Sequence, residues 1–99
     1  MKDKKTNVAV TSRSFSKNPI LRNELLKKYE NVKFNDSGLQ LQGDSLVDFL
    51  KECHKAIIAL EVINDDILRR LPRLKVISKY GVGLDMIDIQ AMNKYSVKD

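Results

Sequence analysis

Cysteine and histidine are almost absent from this chain, since Cys53 and His54 are the only residues of their kinds among 99. A single cysteine excludes an intramolecular disulfide. One adjacent Cys–His pair does not supply the ligand set of a recognisable metal site, so no metal is predicted. Cys53 lies on the apolar face of a predicted helix, where a buried, unreactive thiol is expected. A nucleophilic cysteine would instead need a neighbouring base in an exposed, electropositive setting.

Long apolar runs are also missing. No stretch approaches the ~20 apolar residues that a membrane span needs. The charged start, Met-Lys-Asp-Lys-Lys, lacks the apolar region of a secretory signal. The hydrophobic content of 42% and charged content of 31% are ordinary for a globular chain. These features predict one small cytoplasmic domain with no membrane partner.

Acidic residues are fewer than basic ones, 13 against 18, which gives a formal net charge of +5. Such a charge permits nucleic-acid or anionic ligands. The basic residues, however, are spread over the ends of predicted elements and polar helix faces, and the three Tyr and three Phe are not interleaved with them. A solvated surface is favoured, and no nucleic-acid partner is predicted.

The sequence does contain a regular alternation of short apolar strands and helical patterns. This alternation predicts an α/β domain whose parallel sheet carries helices on both faces. Short strands and a mildly polar second strand favour a flavodoxin-like open sheet of order 2-1-3-4-5, with the fifth strand truncated. Strands are predicted at 8–11, 32–34, 56–60 and 74–78, a fifth begins near 96, and 12–18 is a polar turn. Helices are predicted after Asn18, Asp44 and Asn64 as N-caps and after an Asp85/Asp88 capping box; the first has one apolar stripe of Leu21, Leu25, Leu26 and Tyr29.

Ligands of such sheets bind beyond the carboxyl ends of the strands, at the switch point between strands one and three. The candidate functional loops are therefore 12–18, 60–64 and 79–85. In the third loop, Gly81, Val82 and Gly83 lead into a predicted helix N-terminus, where successive N–H groups can bind a carboxylate or phosphate. On spacing alone an ordinary tight turn remains the alternative. The dinucleotide fingerprint G-x-G-x-x-G is not completed, because Met86 occupies the third glycine position.

The wider string around this loop is more specific. Residues 74–88, L-K-V-I-S-K-Y-G-V-G-L-D-M-I-D, resemble the segment L-K-x-I-(S/G)-x-x-G-(V/A)-G-x-D-x-(I/V)-D of the D-isomer-specific 2-hydroxyacid dehydrogenases, which include phosphoglycerate dehydrogenase-like members. Met86 replaces an asparagine that often stands there. The resemblance covers residues 55–95 in detail and the earlier part in pattern only.

This resemblance implies an NAD-dependent oxidoreductase that moves a hydride between a nicotinamide and C2 of a D-2-hydroxyacid or its 2-oxoacid. It implies that residues 1–99 are an incomplete substrate-binding (catalytic) domain, and that the NAD-binding Rossmann domain is absent from the chain. The family's catalytic Arg, Glu and His would lie in that second domain, so the chain alone is expected to be inactive. His54 is predicted to be a helix-end residue far from the crevice, without a catalytic role.

The resemblance also suggests substrate-binding residues. Backbone N–H groups of Gly81–Gly83 would hold the substrate carboxylate, with Lys79 and Tyr80 lining the cleft. Arg13 is near the predicted cleft and could contact a distal anionic group, or it could be an exposed loop arginine. Glu61 stands where the family often contacts substrate; it departs from the Ser–Arg of some phosphoglycerate-oxidising members, which puts phosphoglycerate in doubt.

Other readings of the same fold are less well supported. A signalling receiver would need a phosphoacceptor aspartate after strand three, where Leu60 stands, and an FMN carrier would need a glycine in the loop after strand one. A non-catalytic binding or self-associating module remains an alternative for the chain by itself. Because the fifth strand is cut short, an unpaired sheet edge is expected to favour a homodimer or swapped assembly.

Overall fold

The computed structural model describes residues 2–80 and 87–98, and its sheet has four parallel strands. They are β1 (Asp3–Val10), β2 (Tyr29–Phe34), β3 (Lys55–Ile58) and β4 (Val76–Lys79), in the order β2-β1-β3-β4. Ala9 of β1 pairs with Ala56 of β3, which in turn pairs with Ile77 of β4. The predicted α/β class and the first four positions of the flavodoxin-like order are therefore confirmed.

Helices cover both faces of this sheet: α1 (Arg13–Lys17), α2 (Pro19–Lys28), α3 (Gly43–Leu50), α4 (Asp65–Arg69) and α5 (Ile89–Lys94). Side chains alternate along a strand, so β3 contributes Ala56 and Ile58 to the core beneath α3, α4 and α5, and Ile57 to the core beneath α1 and α2. Within the described ranges, no helix combines the length and apolarity that crossing a membrane requires.

The two cores differ greatly in size. Among residues 2–80 and 87–98, seventeen buried residues form the core under α3, α4 and α5, against four under α1 and α2. α3 buries Leu46, Val47 and Leu50, in line with its predicted apolar face, whereas no residue of α2 is buried. Of the apolar stripe predicted for this helix, Leu21, Leu25 and Tyr29 pack on the smaller core, and all four residues of the stripe are only partly buried. Ile20, on the same helix, is 71% exposed.

The segment 12–18 is not the polar turn that the sequence suggested. Ser12 N-caps α1, because its Oγ accepts a hydrogen bond from the Phe15 N–H at 3.1 Å. The Phe15 ring is buried in the smaller core. One buried aromatic residue and one capping hydroxyl are enough to form a single helical turn that a polar composition conceals.

Helix starts were predicted with mixed success. Asn18 and Asn64 are N-caps as expected. Asp44 is not: α3 begins at Gly43 after Gln42, and Asp44 forms an ion pair with Arg70 at 2.8 Å. α5 begins at Ile89 with Asp88 as its cap, later than predicted. The other half of the expected capping box, Asp85, lies outside the described residues.

The predicted fifth strand is reduced to one parallel bridge. Lys98 pairs with Val76, its N–H donating to Lys75 O (2.9 Å) and its carbonyl accepting from the Ile77 N–H (2.7 Å). This bridge lies on the side of β4 away from β3, as the order 2-1-3-4-5 requires, but no fifth strand is formed within the described residues.

His54 lies between α3 and β3 at the amino end of the sheet, as predicted. Its Nδ1 accepts from the Asn7 N–H at 2.9 Å, and its carbonyl accepts from Lys75 N–H at 2.8 Å. His54 thus links the amino ends of β1 and β4. The imidazole has a structural partner at the end of the sheet opposite to the predicted ligand crevice.

Cys53 is 4% exposed, and burial raises the pKa of its thiol from 9.0 to about 11. We expect iodoacetamide at pH 8 to alkylate the folded chain at least about a hundredfold more slowly than the unfolded chain, because the thiolate is both rarer and inaccessible. Peptide mass spectrometry over time measures both rates. Equal rates with and without denaturant would contradict a buried thiol.

The pKa of the Cys53 thiol is higher in the folded chain than in the unfolded chain. The contribution of this thiol to stability is therefore complete below pH 9 and declines between about pH 9 and pH 11.

Candidate ligand-binding cleft

The buried polar residues gather at one end of the molecule. All those identified among residues 2–80 and 87–98 follow the carboxyl ends of β1, β2 or β3: Thr11, Ser12, Ser16, Asn35 and Glu61. Burying a polar group without a partner is unfavourable, and each of these side chains has one. The carboxyl end of the sheet is therefore held by polar contacts, whereas its centre is held by apolar packing.

Thr11 connects three strand ends. Its N–H donates to Ile57 O of β3 at 2.9 Å, and its carbonyl accepts from Asn35 Nδ2, just after β2, at 3.0 Å. Thr11 is only 1% exposed, and its hydroxyl donates to Glu61 Oε1 at 2.5 Å. Glu61 Oε1 also accepts from the Ala59 N–H at 2.8 Å. One residue thus fixes the relative positions of β1, β2 and the loop after β3.

A second set of contacts fixes α1 against this end. Ser16 Oγ accepts from the Asn35 N–H at 3.0 Å, and Asn35 Nδ2 also donates to Leu39 O at 2.9 Å. Arg22 donates to Ser16 O at 2.7 Å and forms an ion pair with Asp36 at 2.8 Å. The loop after β2 and helix α1 consequently move as one unit with β1.

A cleft of about 430 Å³ opens at this end between the segments 12–17, 38–40 and 59–61. Arg13 and Lys17 supply exposed cations from α1, and Arg13 Nη1 lies 3.4 Å from Gly38 O. Glu61, 7% exposed, lines the opposite wall. The cleft lies at the switch point between β1 and β3, where open parallel sheets bind ligands.

The loop after β4 starts and ends beside the same wall. Tyr80 N–H donates to Ile58 O at 2.7 Å, and Asp88 N–H donates to Ile63 O at 2.9 Å. The Tyr80 ring packs edge-on against Phe15, with centroids 5.2 Å apart. Tyr80 and Asp88 are therefore each bonded to the chain close to Glu61, one before it and one after it.

The structure brings together two of the predicted site residues, Arg13 and Glu61, in one cleft. Lys79 ends β4 and Tyr80 follows it, both half-buried. Gly81, Val82 and Gly83 lie outside the described residues, so their predicted role stays a prediction. Among the described residues, no group of three His, Cys, Asp or Glu side chains could hold a metal ion.

Sequence reasoning missed Thr11 and Asn35 as organisers of this end. Each is the first residue after a strand, β1 and β2 respectively. A polar side chain at the start of both loops was the available signal. Its meaning depends on the pairing of β1 with both neighbours, which a single sequence does not display.

The family model for the D-isomer specific 2-hydroxyacid dehydrogenase catalytic domain matches residues 8–98. The chain belongs to this family. No curated protein sequence shows a significant match to it.

Solved structures of similar fold include members of this 2-hydroxyacid dehydrogenase family. A protein assigned as a D-isomer specific 2-hydroxyacid dehydrogenase from Polaromonas sp. JS6 66 superposes with a TM-score of 0.83 at 21% identity, over 93% of this chain and 28% of its own. A protein from Pyrococcus horikoshii OT3 gives 0.79 at 24% identity, over 96% and 28%. NAD+-bound 3-phosphoglycerate dehydrogenase from Entamoeba histolytica gives 0.73 at 20% identity, over 93% and 31%. The chain thus spans less than a third of each of these three proteins, and at such identities the likeness concerns the fold.

Replacing Thr11 by valine tests the hydrogen bonds that this residue makes at the carboxyl end of the sheet. Valine keeps the volume but removes the hydroxyl, which leaves the buried Glu61 with one donor fewer. We expect the free energy of unfolding to fall by ~1–3 kcal/mol, measured by urea denaturation. The matched control is Thr6→Val, whose hydroxyl bonds to Asp3 at a partly exposed site; it should cost at most about 0.5 kcal/mol. Equal losses in both variants would contradict the role assigned to Thr11.

Proposed function

We propose that the chain is the substrate-binding domain of an NAD-dependent oxidoreductase acting on the CH–OH group of a D-2-hydroxyacid. The observation that carries this proposal is the position of the cleft at the β1/β3 switch point. Tyr80 and Asp88, which flank the family's glycine motif in the sequence, are bonded to Ile58 and Ile63 on either side of its lining residue Glu61. The small acid would bind with its carboxylate on the N–H groups of Gly81, Val82 and Gly83. Lys79, Tyr80, Arg13 and Glu61 would line the remainder of the site.

The proposal assigns the substrate and the cofactor to different domains. Residues 1–99 would form the substrate-binding domain, and a Rossmann domain elsewhere in a longer protein would hold NAD. The chain's own residues do not fit a dinucleotide: Met86 interrupts the glycine pattern, and α5 begins only at Ile89. Large apolar side chains at the carboxyl end, Leu39 and Leu60, are 67% and 64% exposed. Such surface favours contact with another domain.

The cleft's own residues would then bind and orient the acid. Successive backbone N–H groups in a glycine-containing loop can stabilise a carboxylate without a mobile counter-charge. The hydrogen bonds of Thr11 hold the segments on both sides of the cleft at a fixed separation. This separation would orient the substituents on C2 of the bound acid. No proton-transfer group is assigned to the described part of the cleft, since His54 is at the far end of the sheet. The chain alone is therefore expected to show no turnover.

Titration of the ¹⁵N-labelled chain with D-lactate tests this proposal. We expect amide shifts at Arg13, Glu61 and residues 79–83, smaller effects from L-lactate at equal concentration, and no NADH oxidation with pyruvate. Arg13→Ala is a useful comparison, because removal of a lining cation should weaken binding by about threefold to tenfold. Shifts confined to the amino end of the sheet, around Asn7 and His54, would contradict the assigned site, and turnover by the chain alone would contradict the assignment of the catalytic groups to another domain.

We also propose that the chain by itself self-associates. The outer side of β4 is bridged only through Lys98 among the described residues, and α2 leaves Ile20 largely in water. Unpaired strand edges and apolar surface both promote pairing between copies.

Sedimentation equilibrium at increasing concentration tests self-association. We expect the mass to rise from 11.3 kDa towards twice that value as the concentration approaches millimolar. Ile20→Lys should shift the transition to higher concentration if α2 takes part. A monomeric mass throughout the range would contradict the proposal.

A further inference from the structure

Glu61 is the one buried acid among the described residues, and only half of its carboxylate is used by the fold. Oε1 accepts both from Thr11 Oγ1 at 2.5 Å and from Ala59 N–H at 2.8 Å. Oε2 has no hydrogen-bond partner within residues 2–80 and 87–98, and no buried polar atom there is left unpaired. Glu61 lines the cleft, and Oε2 is the carboxylate oxygen that the contacts described leave for a ligand.

The two donors on Oε1 fix the direction of the carboxylate. One donor is a backbone N–H and the other is a hydroxyl on the neighbouring strand end, so rotation of the group would break both bonds. Glu61 as a whole is only 7% exposed. Oε2 is therefore a pre-oriented acceptor on a largely buried residue. An acceptor in such a position discriminates strongly between ligands that can and cannot donate to it.

The cations of the cleft do not neutralise Glu61. No ion pair joins Glu61 to Arg13 or Lys17 in the described structure, where Arg13 instead approaches Gly38 O. The cleft thus presents a fixed negative acceptor on the β3 side and exposed, movable cations on α1. A ligand that carries a donor towards β3 complements this arrangement.

We propose that Glu61 is a specificity-determining residue, and that Oε2 accepts a hydrogen bond from a donor on the substrate's side chain. This inference rests on the proposed function and specifies its substrate class. The substrate would be a 2-hydroxyacid whose side chain carries an ammonium or hydroxyl group. An ammonium group gains most, since it adds charge to the hydrogen bond. A carboxylate or phosphate near β3 meets like charge and is disfavoured.

A series of ligands that differ in one substituent tests this inference on the whole chain. The probes are D-lactate, D-glycerate, D-isoserine and D-malate, which carry H, OH, NH₃⁺ and COO⁻ on C3, together with D-2-hydroxybutanoate and D-4-amino-2-hydroxybutanoate for one further carbon. Dissociation constants come from NMR titration. We expect the better amino ligand to bind about tenfold or more tightly than its unsubstituted counterpart, with D-glycerate in between.

Glu61→Gln separates charge from shape. Because two donors hold the position of Oε1, the amide oxygen of the variant takes that place and its NH₂ replaces Oε2. The preference for an ammonium should therefore fall to about threefold or less, whereas a hydroxyl can still accept a hydrogen bond from the NH₂. The matched control is Glu30→Gln, an exposed residue of the edge strand β2 that removes the same charge elsewhere. Its preferences should equal those of the unchanged chain. The amide spectrum of each variant checks folding, and the ratios in the unchanged chain do not depend on any variant.

The outcomes distinguish this inference from the proposed function. Binding of D-lactate with a flat series, or with D-malate as the tightest ligand, would overturn the role of Glu61 alone. An ammonium preference that survives Glu61→Gln would do the same. Absence of binding by every acid, D-lactate included, would overturn the proposed function and this inference with it.

Discussion

The hydrogen bonds of Thr11 are the constraint on which the carboxyl end of this domain depends. A threonine that follows an apolar strand has three polar groups to satisfy in a buried position, and each finds its partner on a different segment. The N–H is bound by β3, the carbonyl by Asn35 after β2, and the hydroxyl by Glu61. Since leaving any of these groups unpaired would be costly, the three segments must come together whenever the sheet forms. The cleft is a consequence of that requirement.

The cleft combines a buried acid that two hydrogen bonds hold in place with two exposed cations. Glu61 is fixed by two donors, whereas Arg13 and Lys17 extend from a five-residue helix into water. Rigid acceptors contribute specificity, because they cannot adjust to a poor partner, and mobile surface cations contribute attraction that salt screens. The same arrangement explains why the net charge of +5 is a poor guide to the ligand. The buried group that faces the cleft has the opposite sign.

The asymmetry of the two cores separates stability from interaction. The larger core beneath α3, α4 and α5 buries one face of the amphipathic α3 and the single cysteine, and it contains most of the buried apolar residues described. The smaller core leaves α2 without a buried residue. A face that is half covered contributes little to folding but offers apolar surface to a partner, which agrees with a domain that spans less than a third of its structural neighbours.

The sequence alone was sufficient to predict the strand–helix alternation, the parallel sheet, the helix caps Asn18 and Asn64, and the family. They depend on local periodicity, on side-chain hydrogen bonds a few residues apart, and on one motif of fifteen residues after the fourth strand. Local patterns misplaced the start of α3 and concealed α1, because the packing of Phe15 and the ion pair between Asp44 and Arg70 join distant segments. Only the tertiary structure decided that Thr11 and Asn35 join the segments around the cleft and that Glu61 is buried in its lining. The physical reason is that a buried polar group takes its partner from whichever segment the fold brings close, and for Thr11 and Glu61 that segment is fifty residues away.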